Sequence, residues 1–231
     1  MHAPPPDDNA TVAGLSVVIP TLNAARTLPA TLRALGPVAE CVVADGGSRD
    51  GTAGVAAAAG ARVITAPRGR GPQIAAGIAA AQQDWLLILH ADTRLQPGWR
   101  RAVRAHVAGD AAKAGYFRFA LDSDAPQARR LERAVDWRCR VLALPYGDQG
   151  LLVHRRTLRQ VGGVRPLPIM EDVDLIRRLG RRRLAGLEAA AVTSAEKWER
   201  DGWYARSARN LGCLLLWQCG VPPATIVRWY R

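Results

Sequence analysis

The sequence predicts an α/β protein in which a mainly parallel β-sheet is covered by helices on both faces. Short apolar runs rich in β-branched residues alternate with amphipathic stretches of about a dozen residues through the first 110 residues. These runs are apolar at consecutive positions, as expected of strands that are buried on both faces. We therefore expect a Rossmann-like arrangement, followed by a C-terminal helical appendage.

The predicted elements are bounded by residues that stop strands and helices. Pro20 ends the first strand, Gly36 stops the first helix, and Gly60 ends a second helix that Asp50 can cap. The strands predicted in this part are residues 15–19, 40–44, 62–65 and 85–89, and the helices are residues 23–35, 50–59 and 72–83. Beyond Asp92 we predict helices at 97–107, 125–142, 170–179 and 203–219, and strands at 116–121 and 151–153.

The chain is strongly basic. Its 231 residues include 32 Lys+Arg and 20 Asp+Glu, a net charge of +12, which favours nucleic acid, anionic lipid or phosphorylated small molecules as partners. Lys113 and Lys197 are the two lysines, so the other thirty basic residues are arginine. Because this bias runs along the whole chain, the net charge is weak evidence for any one partner.

The composition excludes several classes of protein. Hydrophobic residues make up 48% of the chain, which is too many for a disordered protein. No stretch approaches 18 consecutive apolar residues, so we expect no membrane-spanning helix. Cys41, Cys139, Cys213 and Cys219 form neither a CxxC pair nor a zinc-site spacing. We expect them to be free thiols in a reducing cytoplasm.

Polar or glycine-rich loops follow each of the first four predicted strands. They are residues 20–23, 45–52, 68–71 and 90–93. Ligands of parallel α/β sheets bind at the loops beyond the carboxyl ends of the strands, so four such loops predict a ligand site at one edge. The first loop has neither a GxGxxG nor a GxxxxGK[ST] motif, which excludes a dinucleotide fingerprint and a Walker-type phosphate site.

Charged residues in these loops suggest the chemistry of the ligand. Asp45 can accept hydrogen bonds from the N–H groups of a base, although its loop also suits an ordinary turn and helix cap. Arg68 and Arg70, which alternate with Gly69 and Gly71, can hold a diphosphate or can form a solvated loop. Asp92 follows a buried strand, where an unpaired carboxylate is costly, so we expect it to bind Mg²⁺ or Mn²⁺ with substrate phosphates.

Three acids gather within four residues where a helix is predicted to begin. Glu171, Asp172 and Asp174 would by default stabilise the positive end of the helix dipole. Asp172 and Asp174 cannot share one face of a helix, so at most one of them points into a cleft together with Glu171.

The order of these motifs resembles that of a known family. The segments are SVVIPTLN (16–23), VADGGSRDGT (43–52), HADT (90–93) and EDVDL (171–175). Together they resemble the family 2 glycosyltransferases of the GT-A fold, from about residue 15 to the C-terminus. Residues 68–71 with Gln73, and residues 147–150, are similar to a bacterial subgroup, the radical-SAM/selenodomain-associated transferases.

The resemblance implies a hexosyltransferase-like enzyme that uses a nucleoside-diphosphate sugar and Mn²⁺ or Mg²⁺, and inverts the anomeric carbon. It implies that Asp172 is the general base, with Glu171 beside it, and that Asp92 is a metal ligand. The residues implied to bind the donor are Pro20, Thr21, Asn23, Asp45, Gly46, Ser48, Arg68, Arg70, Gly71, Gln73 and Ala91. The residues expected to bind the sugar and the acceptor are Asp148, Gln149 and Trp198. Trp198 can stack on a sugar or anchor the last helix.

Two positions depart from the family pattern. His90 stands where the first acid of the DxD motif lies, so the metal site has one anionic ligand fewer and would use water or His90 itself. Asn23 stands where many relatives carry Glu, which would weaken this contact with the nucleoside.

The predicted domain organisation has a disordered leader, residues 1–14, and a single domain, residues 15–231. Within the domain, the resemblance implies a nucleotide-binding half (15–110), an acceptor half (111–200) and C-terminal helices (201–231).

Three functions stay open from the sequence. The first is a cytoplasmic glycosyltransferase that transfers sugar to a hydroxyl of a small or peptide-like acceptor, as a monomer or a homodimer. The second is a peripheral-membrane transferase at the inner membrane face that loads sugar onto a polyprenyl phosphate, which suits the +12 charge and the apolar last helix. The third is a non-catalytic nucleic-acid-binding module. No basic helix has base-reading spacing, so we expect no nucleic-acid partner.

Overall fold

The structure, a computed structural model, describes residues 10–230. Most of the predicted leader, residues 1–9, and Arg231 lie outside the described residues. The end of the leader is packed, because Val12 is 2% exposed within the core. The Gly14 carbonyl also accepts a hydrogen bond from the Trp85 N–H at 3.0 Å. The folded domain therefore includes residues before the predicted boundary at 15.

Within residues 10–230, eight strands form one sheet. They are β1 (Leu15–Thr21), β2 (Glu40–Asp45), β3 (Arg62–Thr65), β4 (Trp85–Ile88), β5 (Thr93–Leu95), β6 (Ala114–Leu121), β7 (Leu151–His154) and β8 (Leu184–Thr193). The first four strands and β7 begin at their predicted residues. The sequence prediction missed β5 and β8.

The sheet is parallel in its first part and mixed in its second. The strand order is β3-β2-β1-β4-β7-β6-β8-β5. The strands β1, β2, β3 and β4 pair in parallel, as predicted, whereas β7 is antiparallel to both β4 and β6. Because Leu151 pairs with Ile88, the turn before β7 lies beside the carboxyl end of β4. Thr193, at the end of β8, pairs with Thr93, so the segment after β8 reaches the same edge.

Ten α-helices accompany the sheet in the described part of the chain. They are α1 (Leu28–Leu35), α2 (Thr52–Ala58), α3 (Arg70–Ala80), α4 (Trp99–Val107), α5 (Pro126–Trp137), α6 (Arg155–Gln160), α7 (Glu171–Leu179), α8 (Glu196–Asp201), α9 (Trp203–Gln218) and α10 (Pro223–Tyr230). The predicted start of α1 at residue 23 was wrong, because Ala24 and Ala25 donate their N–H groups to Thr52 Oγ1 and Asp50 Oδ2. The predicted helix 125–142 is α5 followed by a π-helix, Arg138–Leu142.

Helices cover both faces of the first part of the sheet. Val17 and Val18 of β1 are both fully buried and face opposite sides, because side chains alternate along a strand. Val17 packs in the cluster that contains Leu28 of α1, and Val18 packs with Ile74 of α3 and Leu175 of α7. This three-layer arrangement explains why the first strands are apolar at consecutive positions.

The C-terminal helices close over the beginning of α7. Cys213 of α9 and Ile226 of α10 pack in one buried cluster with Ile169, Met170 and Val173. The acid cluster at residues 171–174 therefore begins beneath the C-terminal appendage. In the part of the chain that the structure describes, no helix has both the length and the apolar character needed to cross a membrane.

Candidate active site

A large cleft of about 790 Å³ opens at the carboxyl ends of β1 and β4. Its walls come from the loops after these strands, from the start of α3 and from the segment after β8. The predicted site residues that line the cleft are Pro20, Thr21, Asn23, Arg68, Arg70, Gln73, His90, Ala91 and Asp92. Its size and polar lining suit a small-molecule ligand.

A second cavity of about 290 Å³, termed the side cavity, adjoins the cleft. It is walled largely by α5, α7 and α9. The predicted site residues that line the side cavity but not the cleft are Asp148, Asp172 and Trp198. The residues that line both are Arg70, His90, Asp92, Ser194 and Lys197. Ligands in the two chambers would therefore meet at this set, termed the junction.

Asp45, at the end of β2, is held by its own loop and by the neighbouring strand. Its carboxylate accepts hydrogen bonds from Thr21 Oγ1 (3.0 Å), Ser48 Oγ (2.5 Å), and the N–H groups of Ser48 (2.8 Å) and Gly47 (3.1 Å). Burial opposes ionisation, but these bonds hold the pKa of Asp45 below its ordinary value. Asp45 is 8% exposed and braces the ends of β1 and β2, and its contact with a base stays a prediction.

Gln73 of α3 ties the same two strands together. Its Nε2 donates to the Ala44 carbonyl at 3.1 Å and to the Thr21 carbonyl. Gly46 lies against this amide, since a Cβ at that position would be 2.9 Å from Gln73 Nε2. Close packing therefore accounts for a small residue at position 46.

Arg70, the first residue of α3, links the cleft to the acid cluster. Its Nε donates to Glu171 Oε1, and its Nη2 lies 3.7 Å from Asp172 Oδ1. Burial raises the pKa of Glu171, although Arg70 opposes this shift. Glu171 is 1% exposed, so it is placed to hold Arg70 rather than to touch a substrate.

Asp172, the second residue of α7, lines the side cavity at the junction. Its Oδ2 accepts the Gly147 N–H at 2.8 Å, and its Oδ1 accepts the Val173 N–H at 2.8 Å. Burial would raise the pKa of Asp172, but Arg70 and these hydrogen bonds hold it below its ordinary value. Asp172 is therefore a carboxylate at neutral pH, able to accept a proton.

The start of α7 separates its aspartates, as the sequence predicted. Asp174 pairs with Arg178 at 2.6 Å and with Arg165 at 2.9 Å, and it lines neither chamber. Met170, directly before the helix, has a φ of 67°, a conformation that is uncommon for residues with a side chain and is often found at functional sites.

His90 and Asp92 follow β4 at the junction. Asp92 is partly exposed, with its Oδ2 3.5 Å from Lys197 Nζ. Burial, assisted by Arg70, lowers the pKa of His90 to about 4 against the opposing effect of Asp92 and Asp172. The imidazole is therefore neutral near pH 7 and keeps a lone pair.

The junction offers an incomplete set of metal ligands. Within residues 10–230, no group of three or more His, Cys, Asp or Glu side chains is placed to hold a metal. Mg²⁺ is usually bound by one or two carboxylates, with substrate phosphates and water as the other ligands. The Asp92 carboxylate and the neutral His90 ring fit an ion that takes most of its ligands from a phosphorylated substrate.

Gly147 fits closely between the functional side chains. It begins the turn before β7, a 3₁₀-helix at Gly147–Gln149. A Cβ at this position would lie 2.7 Å from His90 Nε2 and 3.0 Å from Asp172 Oδ2. Glycine therefore lets the turn approach the junction and donate its N–H to Asp172.

The three residues expected on the acceptor side differ in their surroundings. Burial raises the pKa of Asp148 to about 6, and its Oδ1 has no hydrogen-bond partner among the described residues. Gln149 is 1% exposed and donates to the Phe117 carbonyl at 2.9 Å, so it holds the core rather than a ligand. Trp198 is 9% exposed and packs edge-on against Phe119, which favours anchoring over stacking on a sugar.

The predicted residues thus divide into a group that lines the two chambers and a group that lines neither. The second group is Asp45, Gly46, Ser48, Gly71, Gln149 and Glu171. Gly71 is packed so closely that a Cβ there would be 2.5 Å from the Leu167 carbonyl. The prediction omitted Lys197, which reaches the junction because β8 ends beside β5. Its position next to Trp198 was the available signal.

Comparison with known proteins agrees with this geometry. The model of glycosyl transferase family 2 matches residues 16–156, more than half of the chain. Uncharacterised glycosyltransferases from Mycobacterium bovis and Mycobacterium tuberculosis are 39% identical over 85 residues. The matched part covers 36% of this chain and 39% of the length of these relatives.

Solved structures of glucosyl-3-phosphoglycerate synthase from Mycobacterium tuberculosis share the fold. The complex with Mn²⁺, UDP and phosphoglyceric acid is 22% identical, with a TM-score of 0.61 over 96% of this chain and 85% of that chain. The complex with Mn²⁺ and UDP-glucose is 21% identical, with a TM-score of 0.61 over 96% and 86%. This likeness shows the GT-A fold predicted from the motifs.

Proposed function

The chain belongs to glycosyltransferase family 2, and we propose that it transfers a sugar from a nucleoside-diphosphate sugar to an acceptor hydroxyl, with inversion of the anomeric carbon. The meeting of two chambers at one set of charged side chains carries this proposal. A donor in the cleft and an acceptor in the side cavity would meet beside Asp172.

The cleft suits the diphosphate of the donor. Arg68, Arg70 and Lys197 line it, and cationic side chains form strong charge-assisted hydrogen bonds with phosphate oxygens. The synthase from Mycobacterium tuberculosis has been solved with UDP-glucose and Mn²⁺. We extend the class of donor, a nucleoside-diphosphate sugar, to this chain.

Asp92 and His90 are the residues that would hold Mn²⁺ or Mg²⁺ together with the diphosphate. A bound ion supplies positive charge that stabilises the departing phosphate. Lys197, 3.5 Å from Asp92, adds a cation of the chain itself at the same place. Arg70 also lines both chambers and can hold a phosphate oxygen while Glu171 fixes its guanidinium.

Asp172 is the general base of the proposed reaction. The N–H of Gly147 fixes one of its oxygens at 2.8 Å, and the nearby Arg70 keeps it ionised. A carboxylate in this position can take the proton of an acceptor hydroxyl while that oxygen attacks the anomeric carbon. Direct displacement of the diphosphate in this way inverts the anomeric centre without a covalent intermediate.

We also propose that the chain belongs to the radical-SAM/selenodomain-associated subgroup of these enzymes. The motifs that support this placement are residues 68–71 with Gln73 and residues 147–150. They lie on both sides of the same carboxylate, since Asp172 accepts the Gly147 N–H and is 3.7 Å from Arg70.

The test is calorimetric titration of UDP, GDP and dTDP into wild-type protein and the Asp92→Ala variant, with Mn²⁺ and with EDTA. We expect Mn²⁺ to strengthen the binding of one nucleotide about tenfold or more, because the metal is shared between phosphate and protein. Asp92→Ala should lose this gain, whereas Asp124→Ala, at an exposed acid before α5, should keep it. Equal nucleotide affinities with Mn²⁺ and with EDTA would show that donor binding does not use a metal. The absence of nucleotide binding would overturn the proposed class of donor.

A further inference from the structure

Large exposed apolar side chains gather in one region of the molecule. Within residues 10–230, those exposed by 37% to 70% all belong to the end of α5, the π-helix, α9 and α10. They are Trp137, Val141, Leu142, Tyr204, Leu211, Leu215, Leu216 and Trp229. Exposed apolar side chains concentrated on a few elements point to an interaction site, and these elements also line the side cavity.

The exposed stripe on α9 begins at the mouth of the side cavity. Tyr204, Leu211 and Leu215 recur at spacings of seven and four residues, so they share one face of the helix. Leu211 is 56% exposed and also lines the side cavity. Arg130 of α5 donates to the Tyr204 hydroxyl at 3.1 Å, which joins the two helices on either side of this mouth.

The charge around this apolar surface is positive. Residues 200–231 include five arginines and a single acid, Asp201, which pairs with Arg200, Arg206 and Arg209. Arg228 is exposed next to Trp229. Beside the π-helix, Arg181 is exposed and donates to the Val141 carbonyl at 2.8 Å. Asp136, near the end of α5, is paired with Arg140. A second copy of the chain would bring arginines against arginines here, whereas an anionic surface would complement them.

We propose that the exposed sides of α9, α10 and the π-helix, termed the docking face, bind the surface of an anionic lipid bilayer. Leucine and tryptophan side chains beside arginines are typical of helices that lie at the boundary between headgroups and acyl chains. The arginines would meet lipid phosphates while their apolar stems lie along the membrane. This inference goes beyond the proposed function and does not depend on the donor.

Leu211 connects the docking face with the chamber proposed for the acceptor. Because this residue lies both on the exposed stripe and in the wall of the side cavity, docking would turn the mouth of the cavity toward the lipid. An amphiphilic acceptor could then place its polar head at the junction while its apolar part stays in contact with the stripe.

The experiment is flotation of the full chain with vesicles of phosphatidylcholine alone or with about 30% phosphatidylglycerol. We expect binding to the anionic vesicles that weakens about tenfold or more when NaCl is raised from about 50 to about 500 mM. The variant Leu211→Gln/Leu215→Gln should lower the partition coefficient about tenfold or more, since each substitution removes apolar surface that the bilayer would bury. Arg228→Gln should lower the partition coefficient about fivefold, and Arg33→Gln, at an exposed position of α1, is the matched control.

Two further measurements test whether the double variant is folded and whether the docking face binds a second copy of the chain. The far-UV circular dichroism spectrum and cooperative thermal unfolding of Leu211→Gln/Leu215→Gln should match those of wild type, which shows that this variant is folded. Light scattering decides between lipid and a second copy: a wild-type dimer that the double variant dissociates, without vesicle binding, would overturn the proposal. Equal flotation with and without the anionic lipid would also overturn it. If the protein floats with anionic vesicles but binds no nucleotide, docking is supported and the proposed sugar transfer is overturned.

Discussion

Asp45 and Asp172 are both carboxylates with a pKa below the ordinary value, and the comparison between them separates support from chemistry. The carboxylate of Asp45 accepts four hydrogen bonds from Thr21 and from its own loop. Each oxygen of Asp172 accepts one N–H, from Val173 and from Gly147, which is 25 residues away in the sequence, and Arg70 lies farther off. Asp45 lines neither chamber, whereas Asp172 lines the side cavity.

The difference lies in what each carboxylate has left to bind. Four donors occupy both oxygens of Asp45, so the anion is used to join β1 to β2. The partners of Asp172 fix its orientation while its carboxylate still lines a chamber that shares side chains with the cleft. An ionised acid that is fixed and yet lines a cavity can accept a proton from a ligand.

The largest expected effect is that of Asp172→Asn. The amide has the shape of the carboxylate and can still accept the Gly147 N–H, but it cannot take a proton. We expect sugar transfer to fall between about 10²-fold and 10⁴-fold, with nucleotide affinity within about twofold of wild type. Steady-state kinetics and calorimetry measure the two quantities. If Asp172→Asn turns over at the wild-type rate, another residue is the general base, and Asp172 is no more catalytic than Asp45.

Glu171→Gln tests whether the neighbour of the base acts through Arg70. The variant removes the charge that neutralises Arg70 but keeps one hydrogen-bond acceptor. We expect a loss of stability of about 1–3 kcal/mol, together with a donor KM about tenfold higher and a smaller change in kcat. Thermal unfolding and donor-concentration series measure these effects. Glu188→Gln, at an exposed position of β8, is the control, and a fall in kcat alone would make Glu171 a catalytic residue.

Asp45→Asn tests the other side of the comparison. Its four donors would lose a charged acceptor, so we expect a loss of about 1–2 kcal/mol in the free energy of unfolding. Transfer measured well below the melting temperature should stay within about threefold of wild type. Asp124→Asn serves as the exposed control. A tenfold loss of nucleotide affinity in a folded variant would show that Asp45 contacts the base, as the family resemblance implies.

Local patterns were sufficient to predict the first part of the fold. The strands β1, β2, β3 and β4 begin at their predicted residues because each is a short apolar run bounded by residues that break it. The strand β8 was missed because much of it is an alanine-rich run, which suits a helix as well as a strand. Its strand character depends on pairing with β6 and β5, and this pairing cannot be read from a local pattern.

The same limit applies to the candidate site. His90, Asp92 and Asp172 could be found because each lies directly at the end of a strongly patterned element. Lys197 was not among the predicted site residues, although it lies next to Trp198, since it reaches the junction through the pairing of β8 with β5. The burial of Gln149 also depends on a distant group, the Phe117 carbonyl that accepts its amide hydrogen bond. Motifs identify candidate side chains, whereas tertiary hydrogen bonds determine which of them remain available to a ligand.

Asp148 extends the comparison to a carboxylate whose Oδ1 has no hydrogen-bond partner among the described residues. Burial raises its pKa from 3.8 to about 6, so between these values the native state binds more protons than the unfolded chain. Stability therefore falls as the pH rises through this window. We expect Asp148→Asn to be more stable than wild type at about pH 7.5, by about 1–2 kcal/mol, and to lose this advantage near pH 4. Thermal unfolding at both pH values measures the difference, and an equal gain at both would assign it to packing instead of to the buried charge.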